Sequence, residues 1–523
     1  MLTRLKVSGF KNLLDVDVRF GPFTCIAGSN GIGKSNLFDA IVFLSHLADK
    51  PLLEAALLVR DPGGRATDMD NLFFKARHYV HPAIEFEAEM IVPKEGEDEL
   101  GQHAVATSTF LRYTLHLGLR RHSGNGSAGG LELLKEELDY IPVSQSSKHL
   151  RFPHSASLWR RSVVESKRRT ATFISTESDE DGKKLVKLHQ DGGGGRPQAR
   201  IASRLPRTVL SAANAAEAQT VLLARREMQS WRLLQLEPTS LRRPDEFAAP
   251  QHLGADGSHL AATLSRLGRE SGGGPRGVLQ EQEGEAAGSP LMDGDACARV
   301  ANRLGELLGD VSGVYVDRDS KREILTVMAK DRHGTSHPAR SLSDGTLRFL
   351  ALAVLAEDPL DRGLVCMEEP ENGIHPARIP AMLRMLGDIA VDAQERTGPD
   401  NPLRQVIVNT HSPAVVAAVS EEDLLVAEPN QVVLPDGGRG ATFRLAPLSG
   451  TWRAKPDSSG TSVHSCALGS LGWYLNPFPS PGSSPSELAS PSRGSRRLRS
   501  AQSGHRVGDR PDLLPFLFPE TRE

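Results

Sequence analysis

The chain opens with two stretches, residues 2–9 and 13–20, in which apolar and polar side chains alternate. This period of two predicts half-exposed strands. The mostly apolar run at residues 23–27 predicts a buried strand, and residues 36–45 carry apolar side chains spaced for one helical face. Two antiparallel strands, a buried strand and a helix together indicate a mixed α/β sheet rather than a simple βαβ start.

The alternating pattern returns at residues 81–92 and 110–119, so we expect the β-layer to continue to about residue 120. Glycine-rich and serine-rich segments follow, including residues 124–130 and 192–195, and predict loops around short strands. Residues 212–236 are rich in Ala, Leu, Arg, Glu and Gln and predict the clearest helix of the middle region.

The later part of the chain returns to regular patterns. A helix is predicted to start near Ser258, and an amphipathic helix is predicted over residues 296–308. Strands are predicted at residues 311–316 and 324–328. The Gly-rich and Glu-rich stretch at residues 271–289 predicts a linker.

These patterns divide the chain into four predicted regions. Residues 1–120 and 296–450 would form two lobes of one mixed sheet flanked by helices, and residues 121–295 an α+β insertion that splits it. Residues 451–523 are rich in Ser, Pro, Gly and Arg with little periodicity, so we expect a disordered tail.

Net charge, cysteine spacing and the lack of long apolar runs limit the classes of function that this sequence suits. The 523 residues carry a net charge of −3, which excludes a whole-surface nucleic-acid binder but leaves a local basic groove open. The four cysteines are scattered without the spacing of a zinc site and suit a reducing cytosol. There is no signal-peptide pattern and no apolar run near the roughly 20 residues of a membrane span, so we expect a cytoplasmic protein that does not contact a membrane.

The clearest chemical motif is Gly28-Ser-Asn-Gly-Ile-Gly-Lys-Ser35, which fits the phosphate-binding pattern G-x-x-x-x-G-K-[ST] at every fixed position. A strand before it and a helix after it would aim backbone N–H groups at anionic phosphates, which disfavours a chance match in a surface loop. Lys34 is placed to reach the β- and γ-phosphates and Ser35 to ligate Mg²⁺. The predicted nucleotide contacts in this segment are Gly28, Ser29, Asn30, Gly31, Ile32, Gly33, Lys34, Ser35 and Asn36.

Three further motifs follow in order. Residues 342–346, Leu-Ser-Asp-Gly-Thr, precede an apolar helix and suit either a phosphate contact or an ordinary N-capped helix. Residues 364–367 predict a buried strand that ends in Glu368 and Glu369, which suits Mg²⁺ and water chemistry more than a solvated acidic turn. The apolar strand at 405–408 leads to Thr410-His-Ser, where His411 is either structural or catalytic.

Together these motifs resemble the ABC-type ATPases of the SMC/RecF-like group, in particular the compact bacterial AAA ATPase branch related to the overcoming-lysogenization-defect ATPases. The resemblance rests on Leu5-Lys-Val-Ser-Gly-Phe-Lys-Asn12, the loop at 28–35, Glu-Glu-Pro-Glu-Asn-Gly-Ile-His-Pro at 368–376 and Thr-His-Ser-Pro at 410–413. It covers residues 1–90 and about 310–430, and it implies a P-loop ABC-type head.

The resemblance also implies roles for individual residues. Glu368 would take the Walker B place in the Mg²⁺ shell, Glu369 would be the catalytic base, and His411 would be the switch histidine at the γ-phosphate. Residues 372–375 fall where the dimer-contacting D-loop lies. The signature residues Ser343 and Gly345 would close the ATP site of a second subunit, which implies an ATP-dependent homodimer.

The sequence departs from the family pattern at several points. The Walker B acid is Glu368 rather than Asp, and Asp344 and Thr346 replace the commonest letters of the signature L-S-G-G-Q. No Q-loop glutamine is evident, and residues 68–74 are the expected region for it. Lys11 matches a basic residue that approaches phosphate in the wider group, although a solvated turn lysine suits the position equally.

The expected function is Mg²⁺-dependent ATP hydrolysis in DNA repair or defence. DNA would require a basic groove, and the Arg-rich and Lys-rich segment 149–170 is the candidate, unless it is only a solvated face. The alternative is a nucleotide sensor that controls a partner nuclease or toxin without turnover. We expect no built-in nuclease, because the chain after His411 is mostly low-complexity and lacks an acidic D-x-D cluster.

Overall fold

The computed structural model describes residues 1–59, 66–120, 130–167, 171–191, 196–271, 295–456, 463–466, 471 and 506–509. All but the first residue of the predicted linker at 271–289, all but the last residue of the glycine-rich segment at 124–130, the glycine run at 192–195 and most of the predicted tail therefore lie outside the described residues. The chain divides into two compact units. The first comprises Met1–Arg232, Gly363–Cys366 and Val391–Glu523, and the second comprises Leu233–Arg362 and Met367–Ala390.

The described residues form the following strands and helices. The strands are β1 (Leu2–Ser8), β2 (Val16–Arg19), β3 (Phe23–Ala27), β4 (Lys75–Ala76), β5 (Tyr79–Val80), β6 (Ala83–Ile91), β7 (Glu95–Glu97), β8 (His103–Val105), β9 (Phe110–Arg120), β10 (Gly130–Tyr140), β11 (Ile174–Ser178), β12 (Lys184–Leu188), β13 (Gln198–Ile201), β14 (Arg232–Leu234), β15 (Asp245–Glu246), β16 (Val311–Asp319), β17 (Ile324–Asp331), β18 (Ser336–Pro338), β19 (Gly363–Glu368), β20 (Arg404–Thr410), β21 (Leu424–Val433) and β22 (Arg439–Pro447). The α-helices are α1 (Lys34–Leu47), α2 (Leu52–Leu57), α3 (Val143–His149), α4 (Arg161–Val163), α5 (Gln219–Gln229), α6 (Pro238–Leu241), α7 (Leu260–Ser271), α8 (Asp295–Leu308), α9 (Asp344–Glu357), α10 (Ile379–Ile389) and α11 (Pro413–Ala418).

The first unit contains an antiparallel sheet in the order β13-β12-β11-β10-β9-β6-β1-β2. The alternation at its start, in β1, β6 and β9, is confirmed, because buried and less buried side chains largely alternate along these strands. The sheet continues past the expected end near residue 120 through the long strand β10. A β-bulge between Leu133 and Lys135 shifts the pairing of β10 with β9, so the apolar positions of β10 lose their regular period.

A second sheet of the first unit places the phosphate-loop strand among parallel neighbours. Its strand order is β14-β19-β20-β3-β21-β22, and of β14 and β19 only Arg232 and Gly363–Cys366 belong to this unit. Both β20 and β21 run parallel to β3, and every residue of β3 and β20 is buried. Parallel strands end at one edge, so the segments after β3 and β20 emerge side by side.

Aromatic side chains pack the phosphate-loop helix against the antiparallel sheet. The ring of Phe43 in α1 stacks on Phe10 at a centroid distance of 5.6 Å and contacts Phe86 of β6 at 6.1 Å. Phe10 and Phe86 also contact each other at 5.8 Å, and all three rings are buried. Such aromatic clusters contribute stability beyond the burial of their area, so α1 is anchored firmly at its middle.

The second unit combines a small antiparallel sheet, β15-β17-β16 with β18 paired to β17, with the helices α6 to α10. The predicted strands at 311–316 and 324–328 are confirmed as β16 and β17, and the predicted helix at 296–308 as α8. Helix α9 carries a continuous buried run from Phe349 to Leu355 and packs against α6, α7, α8 and α10. This packing fixes the helix that follows the predicted signature.

The predicted helix over 212–236 was too long. Helix α5 covers Gln219–Gln229, and the chain turns at Ser230, whose hydroxyl donates a 2.6 Å hydrogen bond to the carbonyl of Glu227. The next residue, Trp231, is buried, and its indole N–H donates to the Glu227 carboxylate at 3.0 Å. The helix-favouring composition therefore did not extend the helix beyond Gln229, and the chain continues into strand β14 at Arg232.

The first unit continues past Gly450. Trp452 and Arg453 are buried, and the guanidinium of Arg453 lies over the Trp452 ring at 4.2 Å. Arg453 also donates to the Thr24 hydroxyl at 2.8 Å and to the carbonyl of Arg19 at 3.0 Å. In the described part of the chain, no helix is both long and apolar enough to cross a membrane.

A buried carboxyl group lies on β10. Glu136 accepts hydrogen bonds from the backbone N–H groups of Val209 and Leu210 at 2.7 and 2.8 Å and from the hydroxyl of Tyr113 at 3.2 Å. Burial raises the pKa of Glu136 to about 7, because loss of solvation outweighs these hydrogen bonds.

This shifted pKa predicts a pH-dependent stability. Between pH 4.5 and 7 the unfolded chain ionises Glu136 while the folded protein keeps it protonated, so stability falls as the pH rises. Over this window we expect the free energy of unfolding to fall by on the order of 3 kcal/mol more in the unchanged protein than in Glu136→Gln. Denaturant unfolding at stepped pH measures the two slopes, and equal slopes would contradict the assignment.

Candidate functional site

The segment Gly28–Gly33 connects the buried strand β3 to helix α1 and forms the phosphate loop in the first unit. Gly31 and Gly33 have φ values of +79° and +107°, and Gly33 is the N-cap of α1. These left-handed conformations favour glycine over residues with a Cβ atom. The loop therefore delivers the chain to the N-terminus of a 14-residue helix, where free backbone N–H groups favour anions.

Two of these glycines are also required by close approach. A Cβ atom at Gly28 would lie 2.9 Å from the Cβ of Ala427 in β21. A Cβ atom at Gly33 would lie 2.0 Å from the side-chain nitrogen of Asn12. The glycine pattern thus reflects the packing of the loop as well as its turn geometry.

The ammonium group of Lys34 lies within the loop. It donates to the carbonyl of Gly28 at 2.6 Å and to the carbonyl of Ser29 at 3.0 Å, and the residue is 6% exposed. Ser29, Asn30 and Gly31 are exposed, whereas Ser35 and Asn36 are half-buried. The loop therefore combines exposed residues at 29–31 with the buried positive charge of Lys34.

Asn12, which sequence reasoning did not single out, forms hydrogen bonds to two residues of the phosphate-loop segment, Ile32 and Asn36. Its side-chain NH₂ donates to the carbonyl of Ile32 at 3.0 Å, and its side-chain oxygen accepts from the amide of Asn36 at 2.7 Å. Its backbone carbonyl accepts from the hydroxyl of Thr442 at 2.9 Å. One asparagine thus holds both ends of the turn that contains Gly33.

The neighbouring Lys11 has a structural partner. Its ammonium group pairs with the buried carboxylate of Asp39 in α1 at 2.8 Å. The expected Q-loop region at 68–74 packs on the same turn, since Leu72 accepts from the backbone N–H of Lys11 and Phe74 donates to Gly9, each at 2.8 Å. The turn at residues 9–12 is therefore held both by helix α1 and by the segment at residues 72–74.

His411, the predicted switch histidine, follows strand β20, which lies next to β3. The backbone N–H of Gly28 donates to the carbonyl of Thr410 at 3.2 Å, and His411 comes directly after Thr410. The Thr410 hydroxyl accepts from the backbone N–H of Ser412 at 2.9 Å, which shapes the turn into α11. His411 is half-buried and lies at the same sheet edge as the start of the phosphate loop.

In the second unit, the acidic pair lies at the end of β19. Glu368 is the last residue of the strand, and Glu369 follows with a φ of +45°. The side-chain amide of Asn372 donates to the Glu369 carboxylate at 2.8 Å, and the Asn372 backbone N–H donates to the Glu369 carbonyl at 3.0 Å. A left-handed glutamate is strained, and its own turn holds it in place.

The signature segment begins α9 in the same unit. Ser343 is the N-cap, and its hydroxyl accepts from the Thr346 backbone N–H at 3.2 Å and lies 2.8 Å from the Thr346 hydroxyl. Ser343 is exposed at the helix N-terminus. A Cβ atom at Gly345 would lie 3.1 Å from the carbonyl of Gly373, so the signature packs closely on the turn after Glu369.

The structure thus brings the predicted residues together in two sets. The phosphate loop, Lys34, Ser35, Asn36 and His411 lie in the first unit, and Glu368, Glu369, Ser343 and Gly345 lie in the second. Among the residues described, no three His, Cys, Asp or Glu side chains form a metal-binding cluster. A hydroxyl such as that of Ser35 and a carboxylate such as that of Glu368 are oxygen donors of the type that Mg²⁺ takes, alongside phosphates and water.

Comparison with known proteins finds one matching family model and two relatives with short matching stretches. Residues 202–417 match the family model described as AAA domain, putative AbiEii toxin, Type IV TA system. Two proteins named DNA replication and repair protein RecF share short stretches with the chain. The one from Parabacteroides distasonis is 48% identical over 46 residues, and the one from Paenarthrobacter aurescens is 40% identical over 60 residues. Over the matched residues the chain is similar to ABC-type ATPases of the SMC/RecF-like group.

The extent of the matches is limited. The RecF matches cover 9% and 11% of this chain and only 13% and 15% of the relatives' own lengths. Among solved structures, the SMC head domain from Thermotoga maritima is 12% identical, with 86% of this chain and 99% of that chain covered and a TM-score of 0.35. The Smc head bound to the C-winged helix domain of ScpA is 13% identical, with 84% and 97% covered and a TM-score of 0.40.

The geometry around Asn12 generates a prediction for nucleotide binding by the phosphate loop. Asn12→Ala removes both side-chain hydrogen bonds that hold the Ile32–Asn36 turn, so the loop loses its preformed shape. We expect ATP to bind about tenfold more weakly, in line with roughly 1.4 kcal/mol for two lost hydrogen bonds. Titration calorimetry measures the affinity, and Gln102→Ala, which removes an exposed side-chain amide of the same unit away from the loop, is the matched control. Unchanged affinity in Asn12→Ala would rule out this role.

Proposed function

We propose that the protein is a Mg²⁺-dependent ATP hydrolase whose two copies associate when ATP is bound. The single observation that carries the proposal is the phosphate loop, with Lys34 at its base, Asn12 behind it and His411 at the neighbouring strand end. A strand, a glycine-rich loop and a helix N-terminus in this order suit the triphosphate of a nucleotide.

In the proposed reaction, each residue either stabilises the negative charge of the phosphates or positions the attacking water. The backbone N–H groups after Gly31 and the Lys34 ammonium bind the β- and γ-phosphates, and His411 contacts the γ-phosphate as it transfers. Glu369 orients the attacking water and accepts its proton. Mg²⁺, held through Ser35 and Glu368, would neutralise negative charge on the phosphates.

The exposed signature supports the proposed association of two copies. Ser343 presents its hydroxyl at the N-terminus of α9, where the helix dipole favours a phosphate. In the proposed dimer, Ser343 and Gly345 of one copy contact the γ-phosphate held by the phosphate loop of the other. Hydrolysis removes that phosphate, so the nucleotide state sets whether the two copies stay together.

The proposed base gives the first test. Glu369→Gln removes the proton acceptor but keeps the side-chain size, so we expect turnover to fall about 100-fold or more while ATP still binds. The variant should accumulate as a dimer in ATP on gel filtration. Glu306→Gln, at an exposed glutamate of the same unit, is the control. Full turnover in Glu369→Gln would remove the assignment, and full nucleotide affinity in Lys34→Ala would remove the phosphate-loop role.

The contact of Asn372 with Glu369 gives a second test. In Asn372→Ala the carboxylate loses the amide that fixes its direction, so we expect kcat to fall about tenfold with little change in ATP affinity. Steady-state kinetics separates the two parameters. A rise in KM without a fall in kcat would place Asn372 in substrate binding instead.

We place the activity in DNA repair or phage defence, on the basis of the family match and of the RecF relatives, whose printed names concern DNA replication and repair. The basic segment at 149–170 is the proposed DNA contact. Arg161 and Lys167 of this segment are exposed, whereas Arg151 donates to the backbone carbonyl of Pro456 at 3.0 Å. Arg168 and Arg169 lie outside the described residues.

The alternative is a nucleotide sensor that regulates a protein effector, such as a nuclease or toxin, and the AbiEii description of the matching family favours it. The two functions differ in turnover. ATPase assays with and without double-stranded DNA, with mass measured in ATP, separate them. Binding of ATP with negligible turnover in both assays favours the sensor, whereas turnover and salt-dependent DNA retention favour the DNA-linked ATPase.

A further inference from the structure

The signature segment carries a charge that its proposed task does not favour. Asp344 follows Ser343 directly and is the first residue of α9. An acidic residue in the first helical turn stabilises the helix, because it faces the positive end of the dipole. A carboxylate next to a serine that contacts a phosphate is unfavourable, because like charges repel.

A guanidinium group lies on this carboxylate. Arg242 pairs with Asp344 and also donates to the backbone carbonyl of Leu342 at 3.1 Å. It therefore holds both residues that flank Ser343. The side chains of Arg242 and Asp344 are 30% and 51% exposed, so the pair lies at the surface beside the exposed signature serine.

The position of Arg242 is fixed by the segment that carries it. Arg242 is the C-cap of the short helix α6, and Leu241 before it is buried. The hydroxyl of Ser240 donates to the Asp256 carboxylate at 2.7 Å, and the backbone N–H of Glu237 donates to the Asp256 carbonyl at 2.9 Å. Arg242 thus reaches the signature from an anchored turn, and α6 packs against α9.

We propose that Arg242 is a positioning residue for the signature: it neutralises Asp344 and fixes the backbone around Ser343, so that the segment can meet the γ-phosphate held by a second copy. This inference rests on the proposed ATP-dependent association. It also accounts for an acidic residue where the family signature has glycine, because Asp344 and Arg242 together add no net charge beside the phosphate.

The test measures the association of two copies rather than turnover. In the Glu369→Gln protein with ATP, Arg242→Ala leaves Asp344 uncompensated, and we expect the dimer to dissociate about tenfold more readily while ATP affinity per chain stays within about twofold. Adding Asp344→Asn to Arg242→Ala removes the repulsion and should recover most of the loss, which is the coupling that a double-mutant cycle measures. Arg243→Ala, at the exposed neighbouring arginine, is the matched control.

A second readout does not depend on ATP or on a dimer. Hydrogen exchange of the nucleotide-free protein should rise at residues 344–347 in Arg242→Ala and stay unchanged in Arg243→Ala. If the Glu369→Gln protein forms no dimer in ATP, the proposed association fails and the exchange result alone decides whether Arg242 fixes the signature. Unchanged exchange overturns the proposal, as does a dimer that is equally stable in Arg242→Ala or is not recovered by Asp344→Asn.

Discussion

The side-chain amide of Asn12 is the contact on which the phosphate loop depends. Its NH₂ group donates to Ile32 and its oxygen accepts from Asn36, so one short side chain holds the turn from Ile32 to Asn36. A side-chain amide can do this because it carries a hydrogen-bond donor and an acceptor. The ion pair of Lys11 with Asp39 holds the segment that carries Asn12 to helix α1. A loop fixed in this way keeps its N–H groups aligned before nucleotide arrives, so binding orders little of the chain.

Each unit builds its part of the chemistry on one well-packed helix. In the first unit, α1 is anchored by the ring contacts of Phe43 and presents Lys34 at its first turn. In the second, α9 is buried from Phe349 to Leu355 and has Ser343 at its N-cap. In both units a well-packed helix begins at the proposed phosphate contact, and a helix N-terminus favours anions.

The sequence allowed the mixed α/β fold, the family and the order of the motifs to be predicted, because these depend on local patterns. It did not reveal Asn12 or Arg242, since their partners Asn36 and Asp344 lie 24 and 102 residues away and follow no sequence spacing. Strand β10 escaped prediction because its bulge breaks the alternation, and the end of α5 at Gln229 escaped it because the turn into strand β14 leaves no signal in a helix-favouring composition. The roles assigned to Glu368, Glu369 and His411 stay predictions.

The left-handed backbone conformation of Glu369 affects how selection for stability would act on this position. At a φ of +45° glycine would be favoured by roughly 1–2 kcal/mol, and asparagine is also tolerated there. Selection for thermal resistance alone would therefore tend to replace this carboxylate, and laboratory evolution toward heat tolerance would enrich chains that have lost it. A glutamate kept at this conformation is the trade between stability and activity that the proposed role of Glu369 as catalytic base would require.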